Sequence, residues 1–199
     1  MYTQPQKIVL ENDTVLLTPL TTTDLDAIFS ASRDDAGNVF YHMSFGPFID
    51  KTDLLKWMNS EINAPNNFIF TVYSKRLKSI VGTCSIISSD LNNGSSEVGN
   101  IWYSKRAQNS EINTSAISLL LSYLFENLKY RRVVWKCDNT NESSKAAALK
   151  LGFKFEGIFK KHMIRKSRSR DTIWYAIIDD EWMNVKEALI NRIINKKIK

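Results

Sequence analysis

Residues 97–113, Glu97-Val98-Gly99-Asn100-Ile101-Trp102-Tyr103-Ser104-Lys105-Arg106-Ala107-Gln108-Asn109-Ser110-Glu111-Ile112-Asn113, pass from an apolar strand through a polar turn into the start of a helix. Beyond them Ile112, Ala116, Leu119, Leu120, Tyr123, Leu124 and Leu128 recur at helical spacing and make one apolar stripe. Arg132 to Cys137 then returns to the β-branched and aromatic content of a strand. Strand, helix and strand in that order predict a right-handed crossover between two parallel strands. A helix opening near Ser110 to Ile112 leaves about four backbone N–H groups unpaired and carries partial positive charge, an arrangement suited to an anion. The turn Gln108 to Asn113 holds no glycine, and Asn109 with Ser110 serves equally well as an ordinary helix cap.

Upstream, Val15 to Thr18 reads as a short strand stopped by Pro19, and a helix capped by Thr22 or Thr23 runs to the break at Gly37-Asn38. Phe40 to Ile49 is an aromatic-rich loop, followed by a helix over about Lys51 to Ile62. Phe68 to Tyr73 and Ser79 to Ile87 form a hairpin, and Asn92-Asn93-Gly94 turns the chain into Glu97 to Tyr103 as the next strand of a meander. Downstream, Asn141 to Leu151 is a helix with Gly152 at its C-terminal cap. Phe153 to Phe159 and Thr172 to Ile178 pair as a last hairpin around a basic segment, and an amphipathic helix ends the chain in lysines. One domain is expected over residues 1–199, with a core of about 8–182 and a terminal helix over 183–199.

The composition, 43% hydrophobic and 24% charged over 199 residues, suits a globular core. No apolar run reaches the length of a membrane span and the first seven residues lack the apolar centre of a secretory signal, so a cytoplasmic location is expected. Cys84 and Cys137 stand apart in apolar runs, and His42 and His162 are isolated, which predicts reduced buried thiols and no metal. The net charge of +6 would attract an acidic partner. Its concentration in residues 160–170 and 196–199 raises nucleic acid as an option, which the lack of interleaved aromatics for base stacking disfavours.

The element order, together with Glu97-Val98-Gly99, the turn at Gln108, Thr114-Ser115-Ala116, Asn141-x-x-Ser144, Leu151-Gly152-Phe153 and Glu156-Gly157, resembles the GNAT superfamily of acyl-CoA N-acyltransferases, in particular its Rim-type branch of N-terminal acetyltransferases. The resemblance implies an α/β (α+β) fold. Its mixed sheet would have about seven strands, splayed at a notch between the fourth, Glu97 to Tyr103, and the fifth, Arg132 to Cys137, and be flanked by helices. It implies acetyl-CoA as co-substrate and a primary amine, either a protein N-terminus or a small molecule, as acceptor. Backbone groups of Ile101, Trp102 and Tyr103 would extend along the pantetheine arm. Arg106, Gln108, Asn109, Ser110, Glu111, Ile112 and Asn113 would surround the pyrophosphate, with Asn141 and Ser144 farther along.

Glu97 would take the proton of the attacking amine, directly or through water, and Ser144 would donate to the departing thiolate. Each also has a plainer reading, Glu97 as a solvated charge at a strand end and Asn141-x-x-Ser144 as a cap. By the same resemblance His162, Arg170 and Trp174 would shape the acceptor pocket. Two departures stand out: Glu111 and Asn113 occupy positions where the family has small residues, and Ala148 replaces a common tyrosine. They motivate an alternative, a GNAT-fold binding or regulatory module impaired in catalysis. No activated Cys or Ser with a paired base is visible, which favours direct attack. The sequence is silent on oligomeric state, and a homodimer is open.

Overall fold

The computed structural model describes residues 1–197, so the final two residues of the lysine-rich tail lie outside it. The chain forms β1 (Leu10–Glu11), β2 (Val15–Pro19), a 3-10 turn (Thr22–Asp24), α1 (Leu25–Arg33), α2 (Ala36–Val39), α3 (Lys51–Asn63), β3 (Asn67–Ser74), β4 (Ser79–Asp90) and β5 (Ser95–Tyr103). There follow a 3-10 turn (Lys105–Ala107), α4 (Ile112–Ser122) with a π-helical extension (Tyr123–Asn127), β6 (Arg132–Asp138), α5 (Glu142–Lys150), β7 (Lys154–Arg165), β8 (Arg168–Ile178) and α6 (Asp179–Lys197). The mixed α/β architecture is the one expected, with an eighth strand added by the two-residue β1, too short to read from a period of two.

The strands lie in the order β1-β2-β3-β4-β5-β6-β8-β7. All neighbours are antiparallel except β5 and β6, the two strands joined by the crossover through α4. Successive residues of β3 point to opposite faces and feed two cores. Phe70 and Val72 join Ile112, Ile117, Leu120 and Leu124 beneath α4, whereas Ile69 joins Ile28, Leu54 and Met58 beneath α1 and α3. Each of these fully buried aliphatic side chains contributes roughly 1.5–3 kcal/mol relative to exposure.

Several local expectations shift. Thr21, rather than Thr22 or Thr23, opens the first helical segment, its backbone N–H donating to Asp24 at 2.9 Å. The helix then ends at Arg33, and Gly37 lies inside α2 instead of breaking it. The basic segment is not a loop: β7 and β8 extend through it to a two-residue turn at Lys166-Ser167, both at positive φ, the geometry that matches strand twist. Lysine and serine carry no sequence signal for such a turn. The terminal helix begins at Asp179, ahead of the expected 183.

The β5–β6 pairing is short. It comprises Ser95↔Arg132, Ser96↔Val133 and Glu97↔Val134, after which the strands part. Just beyond, β5 bulges against β4: Ser85 faces Gly99 and Thr83 faces Trp102, so Asn100 and Ile101 oppose Cys84 alone, with Asn100 at φ 50°. A bulge bends its strand and increases local twist, carrying β5 away from β6. Thr83 Oγ1 donates to the Asn100 carbonyl at 3.1 Å, and the Asn100 amide donates to Glu61 at 3.2 Å, fixing the distortion.

Close approach of β4 and β5 depends on Gly82, where an added Cβ would meet the Trp102 carbonyl oxygen at 1.9 Å, whereas Gly157 has open space around it. Gly82→Ala is therefore expected to lower unfolding stability by about 1–3 kcal/mol through overpacking, and Gly157→Ala to stay within about 0.5 kcal/mol. Urea denaturation of both variants reads the difference as a shift in midpoint.

Candidate active site

The parting of β5 and β6 opens a cleft of about 640 Å³. One wall is β5 from Val98 to Tyr103, paired to β4 on one side and, among the described residues, to no strand on the other; the facing wall is Trp135 to Asp138 of β6. Unpaired strand groups inside a protein need partners, so this wall is a template for an extended ligand with amide groups of its own.

At one end the cleft meets the start of α4. Asn109, at φ 55°, takes the left-handed conformation that a glycine-bearing turn would assign to glycine. Ser110 Oγ donates to the Ala107 carbonyl at 2.6 Å and accepts from the Ile112 N–H at 3.2 Å, while the Gln108 side chain donates to the Tyr103 carbonyl at 3.0 Å. Gln108, Asn109, Ser110 and Asn113 line the cleft. Glu111, Ile112 and Arg106 do not, because residues one helical turn apart share a face and this face is that of Ser110, Asn113 and Thr114.

Glu111 is helical at φ −72°, needs no glycine, and aims its largely buried carboxylate at Arg76 at 3.4 Å. The expected placement of Glu111 beside a bound diphosphate is thus corrected: its charge is turned outward and paired. Ile112 is core. Lys105 and Arg106 instead hold the α1–α2 segment, Lys105 pairing with Asp35 at 3.2 Å and the Arg106 N–H donating to Asp34 at 3.2 Å. The cations that do reach this end of the cleft are Lys150 and Arg192, the latter donating to the Lys150 carbonyl at 3.2 Å. Sequence offered no sign of Arg192, since the terminal helix meets α5 only in the folded chain.

Near the point of splay, Glu97 is the third residue of β5, 12% exposed at its side chain, and pairs with Lys136 at 2.5 Å. Burial pushes its carboxyl above the ordinary range, the Lys136 ammonium opposes the rise, and burial prevails. A solvated strand-end charge does not describe it. Lys136 has a legible sign, a charge set between Trp135 and Cys137 in the apolar middle of β6, and its ammonium lies over the Trp174 ring at 4.4 Å. Trp174 therefore stands behind Lys136, outside the cleft lining.

The start of α5 supplies the opposite side. Asn141 Oδ1 accepts from the Ser144 N–H at 3.1 Å and from Ser143 Oγ at 2.9 Å, a cap that leaves the amide NH2 of Asn141 for a ligand. Ser144 Oγ accepts from Trp135 Nε1 at 3.0 Å and lies in hydrogen-bonding reach of Cys137, whose thiol burial pushes up. Both Asn141 and Ser144 line the cleft; Ala148 is fully buried beneath them.

The far end is closed by two segments more than 110 residues apart. His42, in the loop after α2, lies 3.9 Å from Asp138 and is shifted down by burial, against the pull of that carboxylate. His162 and Arg170 come from the last hairpin, the imidazole 2.9 Å from Thr172 Oγ1. Lys166, in the hairpin turn, donates to the carbonyls of Gly46 at 2.7 Å and Phe40 at 2.9 Å, and Arg168 stacks on Tyr41 at 4.3 Å while donating to its hydroxyl. The turn thereby latches the loop that carries His42. Among the described residues no cluster of potential metal ligands occurs and no helix is long and apolar enough to cross a membrane.

Comparison with known proteins gives the same picture. The profile of a family described as acetyltransferase (GNAT) domain matches residues 14–154. The Bacillus subtilis (strain 168) protein YdaF, provisionally named a ribosomal N-acetyltransferase, is 30% identical over 108 residues, 54% of this chain and 58% of that protein, so the chain spans somewhat over half of that relative. The uncharacterised N-acetyltransferase YoaA of the same organism is 23% identical over 85% of this chain and 96% of its own. The crystal structure of a GCN5-related N-acetyltransferase from Brucella melitensis superposes with a TM-score of 0.94 at 31% identity, covering 96% of this chain and 88% of that one.

Hydrogen bonds to a charged donor contribute about 1.5–3 kcal/mol. Lys166→Met should therefore speed amide exchange in residues 40–46 by about tenfold or more while leaving the central strands β3 and β4 protected. Hydrogen-exchange mass spectrometry distinguishes that local loosening from a global loss of stability.

Proposed function

The chain belongs to the acetyltransferase (GNAT) family, and from that premise we propose that it is an N-acetyltransferase carrying acetyl from acetyl-CoA to a primary amine by direct attack within a ternary complex. The observation that carries this reading is the free edge of β5. Three parallel pairs end at Glu97↔Val134, and the backbone of Val98 to Tyr103 is left facing a cleft that runs from the start of α4 to Glu97. The pantetheine arm, with two amides, is an extended ligand of the kind that edge can pair. The α4 terminus with Lys150 and Arg192 suits its phosphates, and the Asn141 amide suits a carbonyl along the arm.

Glu97 acts as the base. A carboxyl raised by burial is a better proton acceptor than an exposed one, and the Lys136 ammonium beside it favours its charged form. Ser144, with Oγ oriented by the Trp135 indole, is the proton donor to the departing thiolate. Cys137 also lines the cleft, but burial holds it as a thiol, which is a poor nucleophile and argues against an acetylated enzyme. The binding-module alternative loses one of its motives, since Glu111 is paired with Arg76 away from the cleft. Rim-type N-terminal acetylation is one acceptor class consistent with YdaF.

Calorimetric titration with acetyl-CoA should give saturable binding, and absence of binding at millimolar ligand removes the proposal. Glu111→Gly should change that affinity by less than about threefold, because the side chain leaves the cleft untouched. Glu97→Gln should lower kcat/KM by about 10²–10⁴ with acetyl-CoA affinity within twofold. In the wild type, activity should fall as pH drops through the raised pKa of Glu97, since protonation removes the base. Loss of that acidic limb in Glu97→Gln but not in His42→Gln assigns it, and the reverse result names His42.

A further inference from the structure

Arg170 sits at the acceptor end of the cleft as a half-buried guanidinium with unused donors. Its Nε is enclosed and meets no acceptor, and its terminal nitrogens reach none among the described residues. The carboxylates whose fields it feels are engaged elsewhere. Glu97 holds Lys136 at 2.5 Å. Asp138 accepts from the Thr140 N–H at 2.8 Å and from its hydroxyl at 2.7 Å, and faces His42 at 3.9 Å. A second cation, Arg165, lines the same cleft and repels Arg170, while burial and that repulsion make the charged form costly. Cys137, whose thiol burial pushes up, and the imidazoles of His162 and His42 also line this end and supply no negative charge.

A cation placed this way lowers its free energy when an anion enters. Arg is also the side chain whose planar fork matches carboxylate and phosphate oxygens two at a time. We propose that the acceptor end of the cleft selects primary amines that carry an anionic group, a carboxylate or a phosphate ester, close to the amine, and that Arg170 is the residue that reads it. The proposal rests on the acetyl-transfer reading and names its acceptor class. With the anion on Arg170, the amine is directed toward Glu97 on the facing strand, which shares the electrostatic environment of Arg170. A neutral amine lacks the contact that fixes this orientation.

The test is direct binding to the CoA-loaded protein, which requires no turnover. Ethanolamine serves as the probe without an anionic group, β-alanine and O-phosphoethanolamine as the carboxylate and phosphate probes. Peptide amides beginning Ser-Glu and Ser-Ala ask whether the anion can come from a polypeptide. Wild-type protein should bind the anionic probes about tenfold or more tightly than ethanolamine. Arg170→Gln should abolish that preference while leaving ethanolamine and CoA affinities within twofold, and Arg170→Lys should restore part of it.

Equal affinity of the wild type for probes with and without an anionic group overturns the proposal, as does a uniform loss for all probes in Arg170→Gln. A Ser-Glu amide preferred over Ser-Ala supports a polypeptide source, and a preference confined to the small probes supports a metabolite. If CoA itself does not bind, the acetyl-transfer reading falls. The same probe series on the unloaded protein then decides the anion preference separately. Should Arg170→Gln fail to fold, the wild-type ratio and its decline with added salt carry the decision.

Discussion

Everything at the site follows from a sheet that stops pairing where its two central strands could have continued. An unpaired backbone N–H or C=O inside a protein costs about as much as a lost hydrogen bond, so one-sided β5 needs other partners, which Thr83 and Gln108 supply to the Asn100 and Tyr103 carbonyls and the cleft leaves to water or a ligand elsewhere. The bulge at Asn100, pinned by Thr83 and Glu61, bends β5 away from β6. Gly82 lets β4 follow β5 through the bend by allowing the Trp102 carbonyl to approach. The carboxylate of Glu97 is positioned at the fork because its residue is the last on β5 to pair with β6.

Much of this was readable before any coordinates. The stripe from Ile112 to Leu128 and the strand-like runs on either side fixed the crossover, because apolar periodicity and burial report the same physics. The fork itself was not readable from periodicity. Nothing in Glu97 to Tyr103 distinguishes a strand paired on both sides from one paired on one, and the expectation came from resemblance alone. The latch was invisible for another reason: Lys166 and the carbonyls it binds are about 120 residues apart, and backbone carbonyls carry no sequence signature. Length misled at the last hairpin, where a run of basic residues reads as a solvated loop although its alternating positions can serve as strand.

The turn without glycine shows how residue type and backbone conformation can be exchanged. Aligning small residues to Glu111 and Asn113 assumed that they inherit a glycine's geometry. Instead the left-handed residue is Asn109, and Glu111, the cap just before α4, has right-handed helical dihedrals and pairs its charge with Arg76. The helix terminus keeps its dipole, and the cations facing this end of the cleft, Lys150 and Arg192, come from α5 and α6. The latch has a parallel logic at the other end, where Lys166 and Arg168 are consumed by the loop that carries His42. Their positive charge builds a wall and is not spread as a phosphate-binding surface.

An unpaired strand at the outside of a sheet invites other chains to add to it, and proteins blunt such edges with charge, bulges and twist. β7, the outer edge here, carries Lys160 and Lys161, with a register break beside them. The edge on β5 has the bulge at Asn100 and Ile101 but no charge along Ile101, Trp102 and Tyr103. It lies inside a cleft lined also by residues of β6, α4 and α5 and not on the outside of the sheet. An adhesive strand is thus kept inside the fold, where the walls of its own cleft separate it from the sheet edges of other molecules.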